Sequence, residues 1–168
     1  MERRPTRLPA PGPWLHAERA DSDNALPGTV DRAANLTGAA EGVAVGVPGG
    51  PSAPRRAREA VAALLDGVID ETRRYKVVLL VSELVTNSVV HAGVDENGTV
   101  RIELLISGAL LRVAVIDHGS DGAPRLRAVD RDRGGGMGLR LVDQASEKWG
   151  VEFNARTRTE VWFEVSLG

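Results

Sequence analysis

The chain contains no cysteine in its 168 residues. Disulfide bonds and metal sites built from thiolates are therefore excluded. Histidine is also scarce, since only His16, His91 and His118 occur, and they are scattered along the chain. None of the three has the spacing of zinc ligands. The composition thus excludes both a disulfide framework and a zinc-finger type of metal site.

The chain also lacks an excess of charge of one sign and any long apolar run. It has 21 Lys and Arg against 23 Asp and Glu, whereas binding to nucleic-acid backbones needs a basic stripe. No segment approaches the roughly 18 apolar residues of a membrane span. The basic residues near Met1 are not followed by the apolar core of a signal peptide. We therefore expect a soluble, cytoplasmic protein with no direct nucleic-acid or membrane partner.

The composition changes near residue 42, which divides the chain into two parts. Residues 1–42 mix Pro, Gly, Ala, Asp and Arg without a period, and we predict that they are disordered or loosely docked. Within them, Trp14-Leu15 indicates either a local hydrophobic contact or a peptide that docks on the domain or on a partner. Residues 43–168 are predicted to form one domain.

Hydrophobic periodicity predicts three helices and five strands in this domain. Apolar residues at helical spacing predict helices over 55–65, 70–91 and 139–145, with Ser52 as the N-cap of the first. Apolar runs and alternation predict strands over 43–47, 100–104, 110–116, 149–153 and 161–165. The predicted fold is a two-layer α/β sandwich with a mostly antiparallel sheet and helices on one face.

Two polar residues interrupt the apolar second helix. Glu83 and Asn87 are four residues apart, so both project from one face of the helix. One interpretation is a solvated stripe, which every core helix must have somewhere. The other is a ligand site, in which the carbonyl oxygen of Asn87 suits Mg²⁺ that is also held by phosphates and water. Glu83 could then polarise an attacking hydroxyl or water.

Asp117 follows an apolar strand and is itself followed by His118 and Gly119. A carboxylate at a strand end that faces a pocket can accept a hydrogen bond from an adenine amino group. Gly119 would let the backbone approach the base. Taken alone, Asp-x-Gly after a strand is also ordinary turn chemistry.

A glycine cluster leads into the third predicted helix. It comprises Gly134, Gly135, Gly136, Met137, Gly138 and Leu139. Backbone N–H groups at a helix start, together with the helix dipole, favour phosphate oxygens, although a flexible loop would have the same composition. No Gly-Lys-Ser/Thr follows, so the cluster is not a Walker A loop. The order and spacing of the three segments together indicate an ATP-binding fold.

This combination resembles the GHKL superfamily of ATP-binding proteins (gyrase, Hsp90, histidine kinase and MutL type), in its branch of small anti-sigma factor serine kinases. The segment from Ser82 to Ala92 is similar to the N box of that family, and Asp117 with Gly119 is similar to its G1 box. The positions that match its G2 box are Gly136, Gly138, Leu139, Leu141 and Val142. The resemblance covers roughly residues 43–166.

The resemblance implies the Bergerat ATP-binding fold and a role for each matched residue. Asn87 would hold Mg²⁺, Glu83 would be the catalytic base and Asp117 would read adenine. Gly136 and Gly138 would line the phosphates, and residues 120–135 would cover the triphosphate. The nucleotide-binding residues of this segment would be Gly134, Gly136, Met137, Gly138 and Leu139. Arg131, Arg133 or Arg140 could neutralise charge during transfer.

The implied activity is transfer of the γ-phosphoryl group of ATP to a serine or threonine of an anti-sigma factor antagonist. A sigma factor would be a second partner. Related small kinases often form homodimers. The alternative is a non-catalytic ATP-binding module that sequesters a sigma factor or regulator. Two positions depart from the family pattern. Asp121 stands where the G1 box has a second glycine, and Arg158 precedes Thr159 in the last hairpin.

Overall fold

The computed structural model describes residues 30–33, 40–118, 137–154 and 158–168. Within these ranges the chain forms six strands and three helices. In chain order they are β1 (Val30–Ala33), β2 (Ala40–Pro48), α1 (Ala53–Leu64), α2 (Glu71–His91), β3 (Thr99–Ser107), β4 (Leu110–Asp117), α3 (Met137–Ala145), β5 (Lys148–Asn154) and β6 (Arg158–Ser166). The three predicted helices and five predicted strands are all present, with ends that differ by a few residues.

The strands form one sheet in the order β1-β2-β3-β4-β6-β5. Every neighbouring pair is antiparallel. The final hairpin folds so that β6 pairs with β4, with Val113 opposite Phe163, and β5 lies at the edge. The predicted α/β sandwich with an antiparallel sheet is therefore confirmed.

The two faces of the sheet differ in composition. Alternate residues of β3 and β4, such as Ile102 and Val113, are fully buried and join one core with α1, α2 and α3. On the opposite face, Ala114, Ile116 and Trp162 form a separate small cluster. This alternation follows from the period of two in a strand, and it places the described helices on one face of the sheet.

Helix α2 is the longest element and its ends are held by specific contacts. The side chain of Asp70 caps its start by accepting a hydrogen bond from the backbone N–H of Arg73. The guanidinium of Arg73 also donates to the backbone oxygen of Ser166, 3.0 Å away, which ties α2 to the end of β6. The fully buried residues Val77, Leu80 and Val81 form one stripe along the helix. Residues on the other side of α2 do not take part in this packing and can therefore contribute to a binding site.

Two details differ from the sequence prediction. Ser52 occupies the N-cap position of α1, but its side chain makes no capping hydrogen bond. Strand β1 was not predicted, because its four residues include Asp31 and Arg32 and carry no alternation that is specific to a strand. Strand β1 gains its backbone hydrogen bonds by pairing with β2, which already begins at Ala40. The predicted division near residue 42 stays a prediction, since residues 1–29 lie outside the described ranges.

No helix in the described part of the chain has both the length and the apolar character needed to cross a membrane.

Candidate functional site

The second half of α2 carries two polar side chains next to its buried stripe. Leu84 and Val85 are buried, whereas Glu83 and Asn87 are only partly covered. Residues four apart lie on one helical face, one turn from each other. The carboxylate and the amide therefore project from the same side of α2, as the sequence spacing predicts.

The end of β4 lies beside the same region of α2. Asp117 is 5% exposed, which is unusual for an ionisable side chain. Its Oδ2 accepts a hydrogen bond from the hydroxyl of Ser88 at 2.6 Å. Ser88 directly follows Asn87 in α2, so this bond fixes the acidic strand end next to the polar face of the helix.

The start of α3 packs against the same region of α2. Helix α3 begins at Met137, and Gly138 is its second residue. A Cβ placed on Gly138 would lie 2.9 Å from Oε2 of Glu83, 3.2 Å from its Cβ and 3.4 Å from Nδ2 of Asn87. A side chain at this position would force the carboxylate of Glu83 or the start of α3 to shift. The beginning of α3 thus lies directly against the two polar residues of α2.

These contacts bring parts of the three predicted segments together. The Ser88–Asp117 bond joins α2 to the end of β4, and the Gly138 contact joins α2 to the start of α3. The site therefore combines a carboxylate, an amide and a second, buried carboxylate with a helix N-terminus. Backbone N–H groups at such a terminus favour anionic ligands.

This donor set fits Mg²⁺ that is held mainly by phosphate oxygens and water. Within the described ranges no group of three or more His, Cys, Asp or Glu side chains could hold a metal ion. A single amide oxygen from Asn87 is the kind of protein ligand that Mg²⁺ accepts when substrate phosphates supply the others. The missing side chain at Gly138 brings the backbone at the start of α3 close to Asn87 and Glu83. We conclude that the residues present fit a Mg²⁺–nucleotide complex.

Several predicted site residues fall outside this picture or need a narrower role. Gly119, Gly134, Gly136 and the predicted cover over 120–135 lie outside the described residues, as do Arg131 and Arg133. Met137 begins α3. Leu139 is partly buried and packs against the hydrophobic core. His91 and Arg140 are exposed.

The sequence motifs assign no separate function to Ser88, which lies within the segment from Ser82 to Ala92. The structure shows that it is buried and also bonded to Asp117. A hydroxyl in an otherwise apolar helical stripe needs a hydrogen-bond partner. That signal was present in the sequence, but the partner is 29 residues away and could not be identified from spacing.

The chain was compared with models of protein families. A family described as the histidine kinase-like ATPase domain matches residues 47–165. These bounds include α1, α2, α3 and the sheet from the end of β2 to β6. No curated protein sequence matches the chain significantly.

Among solved structures, the chain is similar to the crystal structure of the RsbU and RsbW domains of Rv1364c from Mycobacterium tuberculosis. The sequence identity is 18% and the TM-score is 0.55. The match covers 74% of this chain and 32% of that chain, so the present chain spans about a third of the length of its structural relative. This similarity concerns the fold.

Proposed function

The chain belongs to the family of histidine kinase-like ATPase domains, and from this membership we propose that it is an ATP-dependent serine/threonine protein kinase that regulates an anti-sigma factor system. Its substrate would be a serine or threonine hydroxyl of an anti-sigma factor antagonist. The motif resemblance described above and the similarity to a structure that contains an RsbW domain support this branch of the family.

The observation that carries the proposal is the close approach of Gly138 to Glu83 and Asn87. It joins the start of α3, where phosphates are favoured, to the carboxylate and the amide of α2. If Glu83 and Asn87 formed only a solvated polar stripe, the start of α3 would not need to pack against them through a glycine. A site for phosphoryl transfer must neutralise phosphate charge and accept a proton within one small volume, and this arrangement provides groups for both.

Each residue would then act on one part of the nucleotide complex. The amide oxygen of Asn87 would be a ligand of Mg²⁺, and the backbone N–H groups at the start of α3 would donate to phosphate oxygens. Mg²⁺, when bound, supplies positive charge that neutralises the phosphates. Asp117 would accept a hydrogen bond from the amino group of adenine.

Glu83 would supply the proton chemistry of the transfer. Its carboxylate would accept the proton of the attacking hydroxyl as that oxygen bonds to the γ-phosphorus and ADP leaves. Such a role requires a carboxylate near the γ-phosphate. The role is supported by the position of Oε2, which would lie 2.9 Å from a Cβ on Gly138 at the start of α3.

The partners of this kinase would be proteins rather than nucleic acids. The antagonist would be the phosphoacceptor, and a sigma factor would be bound in the alternate state. The net charge of −2 gives no support for nucleic acid as the main partner. We also propose a cytoplasmic location, as the composition predicts, and a homodimer, which is a frequent form of the small kinases that the chain resembles.

The test is phosphotransfer from γ-labelled ATP in the presence of Mg²⁺ and antagonist-like proteins encoded near the gene for this chain. Labelling of a serine or threonine on one of them is the expected result. Binding of Mg-ATP without labelling of any would favour a non-catalytic module that sequesters its partner. Failure to bind adenine nucleotides at millimolar concentration, with Mg²⁺ present, would contradict both functions.

A further inference from the structure

Helix α2 contains two buried serines that use their hydroxyls differently. Ser82 and Ser88 are each 6% exposed. The hydroxyl of Ser82 accepts a hydrogen bond from Arg58 of α1 at 2.7 Å. The hydroxyl of Ser88 instead donates to the carboxylate of Asp117. An ionised carboxylate has no proton to donate, so it can only accept a hydrogen bond. The two serines form a natural pair for comparison.

The direction of the Ser88 hydrogen bond is informative. Hydroxyls within helices often bond to the carbonyl four residues earlier, as Thr86 does with the backbone oxygen of Ser82 at 2.7 Å. Ser88 instead donates its hydrogen bond to Asp117, which lies on a different element at the end of β4. The bond is short and buried, so it restricts the rotation of the Asp117 side chain more than a solvated contact would.

Asn87 and Ser88 are consecutive residues but face different parts of the site. Successive residues of a helix are rotated by about 100°. Asn87 therefore lies beside Gly138 while Ser88 reaches Asp117. A single step along α2 thus places one polar group at the predicted phosphate end and another at the predicted base end.

We propose that Ser88 is a positioning residue for recognition of the nucleobase, an inference that rests on the proposed function. Its hydroxyl holds the carboxylate of Asp117 in the orientation that accepts a hydrogen bond from the exocyclic amine of adenine. Guanine has a carbonyl oxygen at the corresponding position, and a carboxylate held against that oxygen is repelled. Ser88 therefore contributes to the preference for adenine over guanine without touching the base.

The experiment measures dissociation constants of Mg-ATP, Mg-GTP and magnesium tripolyphosphate by calorimetry on the full chain. The variants are Ser88→Ala and, as a matched control on the same helix, Ser82→Ala. We expect Ser88→Ala to weaken Mg-ATP binding by about three- to tenfold, the value of one hydrogen bond. Binding of Mg-GTP should change less, so the ratio of the Mg-GTP dissociation constant to the Mg-ATP dissociation constant falls. Tripolyphosphate, which has no base, should bind as it does to the wild type.

The ratio separates a positioning role from a structural one. Ser88 does not position Asp117 if Ser88→Ala weakens the binding of ATP, GTP and tripolyphosphate equally. The same holds if the ratio of the Mg-GTP to the Mg-ATP dissociation constant stays at the wild-type value. A fall of the ratio in Ser82→Ala by the same factor would also contradict the proposal. Should Ser88→Ala not fold, Ser88→Cys decides with the same ratio, because a thiol is of similar size but a weak donor.

Failure of the proposed function has a different signature. A wild-type chain that binds neither nucleotide overturns the kinase proposal and this inference with it. A wild-type chain that prefers ATP, together with an unchanged ratio in Ser88→Ala and Ser88→Cys, overturns only the role of Ser88.

Discussion

Gly138 of α3 lies so close to Glu83 of α2 that a Cβ on the glycine would be 2.9 Å from the Oε2 atom and 3.2 Å from the Cβ of the glutamate. The oxygen is at the end of a flexible side chain and can move away. The Cβ of Glu83 is fixed to a helix whose neighbouring residues are buried. Any side chain at position 138 must therefore displace the carboxylate, the helix start, or both.

Replacement of this glycine should affect phosphotransfer more than stability. In Gly138→Ala the carboxylate of Glu83 must rotate away from the new methyl group, so we expect a loss of phosphotransfer of about tenfold or more, because a small misplacement of a reacting group is costly. The melting temperature should fall only by a few degrees. Labelled-ATP assays and thermal denaturation check both values.

Gly168→Ala is the matched control for this glycine. A Cβ at that position would meet only the Cβ of Ala109, at an ordinary 3.7 Å. We expect activity and melting temperature to equal those of the wild type. If Gly138→Ala were as active as this control, the close packing of α3 on Glu83 would have no part in the reaction.

Asn87→Ala should reduce binding of nucleotide only when Mg²⁺ is present. The substitution removes an amide oxygen from the site but adds no bulk, so the affinity for Mg-ATP should fall by about tenfold or more. Calorimetric titration with and without EDTA measures the difference. Equal affinities for wild type and variant in Mg²⁺ would show that the metal role assigned to Asn87 is wrong.

Glu83→Gln should separate binding from chemistry. The amide has nearly the size of the carboxylate and can fill the same space beside Gly138, but it cannot accept the proton of the attacking hydroxyl. We expect phosphotransfer to fall by about 10²–10⁴-fold with ATP affinity within a few-fold of wild type. Single-turnover transfer and equilibrium binding test the two parts. Retained transfer would exclude Glu83 as the base.

A second glycine on the far face of the sheet gives a prediction about stability alone. A Cβ on Gly150 of β5 would lie 2.7 Å from the ring of Trp162 on β6. That ring is 9% exposed, and the guanidinium of Arg112 stacks over it at 3.8 Å. We expect Gly150→Ala to destabilise the fold by about 1–3 kcal/mol through overpacking, as measured by urea denaturation.

The smaller ring of phenylalanine should relieve this overlap. In a double-mutant cycle, Gly150→Ala should cost less stability when Trp162→Phe is also present. Additive free energies would mean that contact between the new methyl group and the indole is not the cause. Nucleotide binding should be retained in all three variants, because neither residue lies at the site.

Asp70→Asn should change stability in a way that depends on pH. The hydrogen bond from the side chain of Arg73 holds the pKa of the Asp70 carboxyl below its usual value of 3.8. A lowered pKa in the folded state means that the charged form contributes stability above the unfolded value, and that this contribution is lost as the pH falls through the folded value. Asparagine is an equally good N-cap but carries no charge.

We therefore expect the wild type to melt at most about 3 °C higher than Asp70→Asn at pH 7, since exposed ion pairs contribute little. The difference should decrease as the pH falls below 4 and disappear in acid. Melting curves of both proteins between pH 7 and pH 3 test this. A difference that grows on acidification would contradict the assigned direction of the pKa.

Much of the fold could be predicted from local patterns in the sequence. The helical spacing of residues such as Leu80 and Leu84, and the alternation through Val100 and Ile102, predict α2 and β3 because apolar residues must share one face of each element. The same spacing puts Glu83 and Asn87 on one side of α2. Strand β1 was missed because its pairing with β2, and not its own composition, makes it a strand.

The sequence by itself determined the three helices and five of the six described strands, that the family is one of ATP-binding domains, and which residues carry the three motifs. Only the tertiary structure decided that Gly138 lies against Glu83 and that Ser88 bonds to Asp117. The physical reason is that helical and strand periods are set by local backbone geometry, whereas these contacts join residues far apart in the chain. Their distances depend on how α2, α3 and β4 pack together, and no local period encodes that packing.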